Sequence, residues 1–296
     1  MRRARRNNLI WLADSTCACN VMSFEDIAIP EGSTSLLVGA QSGNLALVRH
    51  ALATEGRADP AEYVNRGNIV GETPLHVASM NHDPDEDAPI TADVKRRNQV
   101  EITRLLLDAG ASTETRTDLA GETPLLRAVM DVRPDILAVL ISANADVNAH
   151  DRHGFAPLHM AVLEEQQPGG FSTNHFGSGE SGRTIIRMLL AAGADVNTRL
   201  LEFSDHNYTH TAMEVAIEGN CVRLWPILLR AGATLPQDVP RFSDPYLERI
   251  RELGSFSAYE KAHRQSFVAL LAPKFPRLPV DALSHVVSFW AHVGDY

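Results

Sequence analysis

Apolar residues in this chain come in short bursts at helical spacing, each closed by glycine, proline or asparagine. The bursts are copies of one another. Gly71-Glu-Thr-Pro-Leu-His-Val-Ala78 recurs as Gly121-Glu-Thr-Pro-Leu-Leu-Arg-Ala128 and as Gly154-Phe-Ala-Pro-Leu-His-Met-Ala161. Weaker copies begin at Gly32 and Thr209. A second phrase follows each: Leu106-Leu-Asp-Ala-Gly-Ala111, Leu140-Ile-Ser-Ala-Asn-Ala145, Leu189-Leu-Ala-Ala-Gly-Ala194 and Leu228-Leu-Arg-Ala-Gly-Ala233. Each unit therefore predicts two short antiparallel helices. Gly121 and Gly154 lie 33 residues apart, which sets the period. The capping threonine and the closing residue lie 21 apart in the third unit (Thr123, Asn144) and the fifth (Thr211, Gly232). They lie 37 apart in the second (Thr73, Gly110), as do Ala156 and Gly193 in the fourth. The second and fourth units thus carry equal inserts of 16 residues between their helices, roughly Asn81–Gln99 and Glu164–Gly182. Six further residues follow the first and fourth units.

The residue types fit this plan. Thr73 and Thr123 can cap a first helix, and Pro74 and Pro124 sit in its first turn, where a missing N–H is harmless. Ala78, Ala128, Ala161 and Ala216 let paired helices approach. Gly110, Asn144, Gly193 and Gly232 suit a left-handed helix stop. Pro226 should kink its helix or shift its start. No unit buries its apolar face alone, so neighbours complete the core.

The T-P-L-H-x-A phrase resembles the ankyrin repeat. The resemblance implies an all-α ankyrin-repeat α-solenoid of about five repeats, with β-turn fingers and a C-terminal helical appendage. The divisions are an N-terminal arm (1–31), a repeat domain (32–235) and a C-terminal segment (236–296). The repeats lie near 32–66, 69–117, 119–150, 152–205 and 207–235. The resemblance also implies a non-catalytic scaffold that binds a protein through finger tips and first-helix ends. Those positions are Ile69, Val70, Glu72, Met80 and Asn81, then Leu119, Glu122, Met130 and Asp131. They continue as Arg152, His153, Phe155 and Leu163, then Tyr208 and His210. Met80, Met130 and Leu163 stand at equivalent places and should form an apolar row with a charged rim, which suits a protein better than DNA. The competing expectation is that the inserts fold over this row. The second insert is rich in glycine and serine, with Phe171 and Phe176 as candidate anchors. Asn148 and Asn197 occupy the spacing at which ankyrin asparagines can be hydroxylated; the structural alternative is a side chain bonding its own turn.

The ends differ from the repeats. Arg2, Arg3, Arg5 and Arg6 make a basic arm, expected as a solvated terminus. Cys17 and Cys19 lack the companions of a zinc site and are expected as thiols. Pro236, Pro240 and Pro245 mark a linker-like stretch. Helix-period segments follow at roughly 257–272 and 280–292. Leu283, Val286, Val287 and Trp290 line one face of the second. Leu278-Pro279 before such a helix resembles an F-box start and the end of a SOCS box. This implies an adaptor-binding segment (Leu278, Pro279, Leu283, Val286, Val287, Trp290) of a cullin-type ubiquitin-ligase receptor. The alternative is a structural cap on the solenoid's end.

Composition narrows the classes. The chain has 296 residues, a formal charge of −10 and 6% aromatics, a poor profile for general nucleic-acid binding. No apolar run approaches the ~20 residues of a membrane span. Three cysteines argue against a disulfide scaffold, so an intracellular, cytoplasmic or nuclear monomer is expected. No phosphate loop, nucleophile elbow or metalloprotease motif occurs, so neither catalysis nor cofactor nor metal is expected. His76 and His159 hold the repeat's own histidine position. A competing class is an enzyme or metal-binding regulator using His150, Asp151 and His153 at one finger tip. The Asp83–Asp87 cluster lacks the spacing of a calcium loop.

Overall fold

The computed structural model describes residues 34–55, 59–81, 92–166, 179–200, 210–236 and 244–293. The N-terminal arm with Cys17 and Cys19, the Asp83–Asp87 cluster, Phe171, Phe176 and Tyr208 lie outside them. The regular elements described are helices, with one antiparallel bridge between Arg199 and Thr211. The described residues up to Ala194 form one compact unit; those at 195–200 and from His210 onward form a second.

The first unit holds four helix pairs. They are α1 (Ser35–Ser42) with α2 (Leu45–Thr54), and, after the short α3 (Pro60–Asn65), α4 (Pro74–Ser79) with α5 (Ala92–Asp108). Then come α6 (Pro124–Met130) with α7 (Pro134–Ser142), and α8 (Pro157–Gln166) with α9 (Gly179–Ala191). First helices stack on first helices, α1 on α4, α4 on α6 and α6 on α8. Second helices do likewise, α2 on α5, α5 on α7 and α7 on α9. The seam is small: Ala78 and Ala128 are wholly buried, and Ala161 nearly so. In the first repeat the place is Gly39, where a methyl group would meet Val48 at 2.8 Å. Leu75, Leu125 and Leu158 fill the core from the first helices, and Leu106, Leu140 and Leu189 from the second.

The local signals act as their chemistry predicts. Thr123, and Thr34 in the first repeat, accept from the N–H groups of Leu126 and Leu37, whereas the Thr73 hydroxyl lies against His76 Nδ1 (2.8 Å). Gly110, Asn144 and Gly193 take the left-handed conformation after their helices. The inserts are partly helical. The second helix of repeat two already begins at Ala92 and that of repeat four at Gly179, so the last part of each insert lengthens a helix instead of looping.

The base of the first insert is held by a buried arginine. Arg133, fully buried, stands immediately before α7. Its guanidinium donates twice to the Asp135 carboxylate (3.0 Å each), to Gln99 Oε1 (2.7 Å) and to the Met80 carbonyl (3.2 Å). Gln99 Nε2 donates to that same carbonyl (3.3 Å). One side chain of repeat three thus ties together both ends of the insert in repeat two.

The second unit pairs α10 (Ala212–Glu218) with α11 (Trp225–Arg230), then adds α12 (Pro245–Glu252), α13 (Phe256–Leu271), a 3-10 turn (Ala272–Lys274) and α14 (Val280–Val293). Pro226 shifts the start of α11 and produces no kink: the helix begins at Trp225, whose Nε1–H donates to the Ala216 carbonyl (3.2 Å). Pro245 corrects the expected linker, because it opens a helix whose cap, Asp244, accepts from the Tyr246 N–H (2.8 Å). Both α11 and α12 pack against α13. Leu247 and Ile250 of α12 are buried, and Arg230 pairs with Glu260 at 2.8 Å. Helix α14 packs against α13.

Removing the arginine alone leaves the Asp135 carboxylate and Gln99 Oε1 without this donor, and the Met80 carbonyl with Gln99 Nε2 only. Arg133→Ala is expected to destabilise the first unit by about 3–5 kcal/mol, read as a lower urea midpoint. Arg104→Ala, at an exposed pair with Glu101, should change stability by less than about 0.5 kcal/mol. Equal small effects of both substitutions would refute the anchoring role.

Candidate functional site

The fingers precede each first helix, and each turn is closed by its own side chain. Asn68 Oδ1 accepts from the N–H groups of Val70 (3.1 Å) and Glu72 (3.0 Å). Thr117 Oγ1 accepts from the Glu122 N–H (3.1 Å). Asp151 Oδ1 accepts from the N–H groups of His153 (2.9 Å) and Phe155 (2.8 Å). Asn, Thr and Asp do one job because each carries a short side-chain oxygen. Gly71 and Gly121 complete the turns at φ of 77° and 69°. A Cβ there would also strike the next finger, at Asp118 (2.8 Å) and Arg152 (2.7 Å).

Successive fingers are joined. The Asp118 N–H donates to the Val70 carbonyl (3.0 Å), and the Arg152 N–H donates to the Ala120 carbonyl (2.8 Å). The Arg152 side chain turns back onto the carbonyls of Asp118 and Leu119, and that of Arg116 donates to the carbonyls of Gly121 and His150. The backbone carrying the tips is thereby fixed on both edges.

A buried histidine connects finger to helix. His76 Nδ1 accepts from the Thr73 N–H (3.2 Å) and lies 2.8 Å from the Thr73 hydroxyl. The other nitrogen, Nε2, must then carry the proton, and it donates to the Glu122 carbonyl of the next repeat (3.0 Å). The Thr73 hydroxyl thus faces the ring. Burial holds the imidazole below its ordinary pKa, with the nearby Arg127 charge acting the same way.

The predicted contact residues separate into two groups. Ile69 (88% exposed) and Leu119 (75%) stand in solvent at equivalent tips. Arg152 and His153 are exposed; Val70, Glu72, Met80, Asn81, Met130, Asp131, Phe155 and Leu163 are half-buried. Glu122 departs from expectation. It is buried and pairs with Arg127 (2.5 Å), which also reaches Glu72 (3.5 Å). Burial raises the Glu122 pKa, Arg127 pulls it back, and Asp151, Glu72 and Asp131 push it up. The surface around Arg127 is therefore acidic. Asn81 and Asp131 are joined to one another, backbone N–H to carboxylate, at 2.7 Å. Arg127, the organising cation, was not singled out by sequence; its signal is the arginine inside the Pro124–Ala128 helix start.

Other expectations resolve individually. His210, in the second unit, is half-buried with Nδ1 3.6 Å from Glu218. The Asp151 carboxylate belongs to its turn, and among the described residues no group of three His, Cys, Asp or Glu side chains could hold a metal ion. Asn197 does not bond its own turn; Asp195 accepts from the Asn197 N–H instead (2.9 Å). The Asn197 amide reaches the next repeat, donating to the Gly232 carbonyl (3.1 Å) and accepting from the Thr234 N–H (2.9 Å). Asn65 repeats this bridge to Gly110 and Ser112. Asn148 is half-buried, with its N–H on Asp146. On α14, Leu283 and Val287 are buried while Val286 is 46% exposed, so the single face expected of them is split. Leu278 and Pro279 are exposed; the side chain of Trp290 lies outside the described residues. No described helix is long and apolar enough to cross a membrane.

Stacked helix pairs joined by hydrogen-bonded fingers define a helical repeat protein. Residues 91–169 match the family "Ankyrin repeats (3 copies)", so this part of the chain carries ankyrin repeats. Similar proteins include human neurogenic locus notch homolog protein 2, 37% identical over 103 residues, covering 33% of this chain and 4% of that protein. The nuclear factor NF-kappa-B p105 subunit of Gallus gallus is 30% identical over 137 residues, covering 40% and 13%. Protein PhlB of Serratia liquefaciens is 35% identical over 105 residues, covering 36% and 37%. The chain spans well under half the length of each.

The His76 linkage gives a pH test. Above the ordinary pKa of 6.5 the ring is neutral folded and unfolded, and stability is independent of it. Below that, the unfolded chain takes a proton that the folded chain refuses, so stability falls as pH falls towards the depressed folded value. The urea midpoint of wild type is expected to drop more steeply than that of His76→Gln from about pH 6.5 to 5. Parallel curves would exclude the linkage.

Proposed function

We propose that this chain is a non-catalytic scaffold whose first unit grips a protein partner with its finger tips and first-helix ends. One observation carries this: Ile69 and Leu119, large apolar side chains at equivalent tips, stand almost fully in solvent on a backbone held rigid by finger-to-finger bonds. Two large apolar side chains raised at equivalent tips of neighbouring repeats are suited to anchor a partner. Around them, Glu72, Asp131 and Asp151 stand beside Arg116, Arg127 and Arg152, so the apolar tips carry a rim of both charges, which favours a partner with apolar anchors and polar flanks of matching charge. The half-buried Met80, Met130 and Leu163 supply an adaptable apolar row beneath.

Affinity capture with the full chain beside the double variant Ile69→Ser, Leu119→Ser tests this. Wild type is expected to retain a partner that the variant loses at least tenfold, with thermal midpoints within about 2 °C because neither residue is buried. Undiminished capture by the variant would overturn the finger-tip reading.

A second docking segment is supported by the C-terminal hairpin. Leu278, Val280 and Val286 remain exposed after α14 has packed on α13. This suits a ubiquitin-ligase adaptor held by residues 278–290, with the repeats as substrate receptor. Cullin adaptors should co-purify with the full chain and not with Leu278→Asp, Val286→Asp. Their absence from both would leave these helices with a capping role only.

A further inference from the structure

The second unit contains a cavity of about 250 Å³ that no part of the finger-tip reading uses. Its walls are rings. Tyr246 meets Tyr259 edge to face with centroids 5.1 Å apart, and Phe256 and His263 lie roughly parallel to Tyr259 at 6.2 and 5.5 Å. Trp225 backs Tyr246 at 6.2 Å. In a chain only 6% aromatic, Trp225, Tyr246, Phe256 and Tyr259 thus gather from three helices, α11, α12 and α13, at one place. Such walls offer faces and edges together, the geometry that receives another ring.

The rim is charged. Glu260 accepts from Arg230 (2.8 Å) and lies 3.5 Å from Arg264. Two guanidinium groups share the one carboxylate among the residues that line the cavity, so its lining keeps one net positive charge, with Lys261 exposed one residue along and Asp244 near Tyr246 on the other side of the balance. The volume is below the ~300–1,000 Å³ of sites for drug-sized ligands and cofactors, and suits one ring system. The ring stripe also continues past the cavity. Phe267 meets His263 edge to face at 4.8 Å, and Phe267 and Leu270 are 39% and 67% exposed. Phe256, Tyr259, His263, Phe267 and Leu270 follow steps of three and four along α13, one helix face. A small molecule in the cavity would leave that strip wet; a peptide covers both.

We infer that the cavity between α11, α12 and α13 receives an aromatic side chain of an acidic peptide segment, whose flanking carboxylates meet Arg230 and Arg264 and whose continuation lies along Phe267 and Leu270. This site belongs to the second unit alone, and it stands or falls separately from the finger tips.

The test is fluorescence anisotropy of the full chain with a labelled synthetic acidic octapeptide carrying one central tryptophan. Replacing that tryptophan by alanine, or the acidic residues by lysine, is expected to weaken binding at least tenfold. Arg264→Glu in the protein should do the same; this side chain is partly exposed, so its reversal leaves the fold standing. Tyr259→Ala should weaken the tryptophan peptide at least tenfold, and Tyr259→Phe should restore most of that loss. Unlabelled N-acetyltryptophan should compete at least a hundredfold more weakly than the peptide. Binding that ignores the tryptophan or the Arg264 reversal would overturn the proposal, as would competition by N-acetyltryptophan equal to the peptide's, which would make this a small-molecule site. No binding at about 1 mM peptide, the weak limit of a specific contact, would also overturn it.

Discussion

A single pair of short helices cannot enclose its own apolar face, and in the first unit the remedy is a neighbouring pair pressed against it. Ala78 and Ala128 are wholly buried because first helices lie against first helices with no room for a larger side chain. Gly39 shows the same limit reached in the first repeat. Close approach makes the second layer of contacts possible. Only at that spacing can His76 close its own helix start and still reach the carbonyl of Glu122 one repeat away. Only at that spacing do Val70 and Ala120 accept hydrogen bonds from the following finger. The fingers hold their tips in solvent because the alanine seam beneath them is tight.

The same dependence explains how an insert is accommodated. Chain added between two helices threatens the stack by leaving backbone groups without partners. In repeat two the answer comes from repeat three. Arg133 satisfies the Met80 carbonyl where α4 ends and Gln99 where the insert rejoins the repeat, while Asp131 accepts from the Asn81 N–H. A buried arginine costs desolvation, which four donated hydrogen bonds, two of them the bidentate Asp135 contact, offset. Extending α5 back to Ala92 pairs further backbone groups within the helix itself.

Local chemistry was legible in the sequence, and relations between distant positions were not. Threonine caps, Asn144 as a left-handed stop, the 33-residue period and the shifted start at Pro226 all follow from residues read a few at a time. Glu72 and Glu122 occupy the same consensus place, yet one is half-buried and the other buried. The difference lies in Arg127 and in the finger of the next repeat, which the consensus does not encode. Pro245 read as linker because three prolines mark breaks; the Asp244-Pro245 pair is also a cap followed by a tolerated first-turn proline, and that meaning prevailed. The i, i+3, i+4 spacing of Leu283, Val286 and Val287 marks a stripe about 100° wide, but how much of a stripe is covered depends on the helix opposite.

Helix lengths explain why exposed apolar groups gather at the end of the second unit. Helix α11 has six residues, a rise of roughly 9 Å, whereas α13 has sixteen, roughly 24 Å. Helix α11 cannot match a helix that long along its whole length. Its first half is tied down: Glu260 to Arg230, and Tyr259 to Tyr246. Its second half carries Phe267 and Leu270 beyond those ties and into solvent. Helix α14 returns along α13 and buries Leu283 and Val287, which covers one side and leaves Val286 outside. What stays uncovered on this overhang, Phe267, Leu270 and Val286, is apolar, and Phe267 adjoins the aromatic cavity through His263.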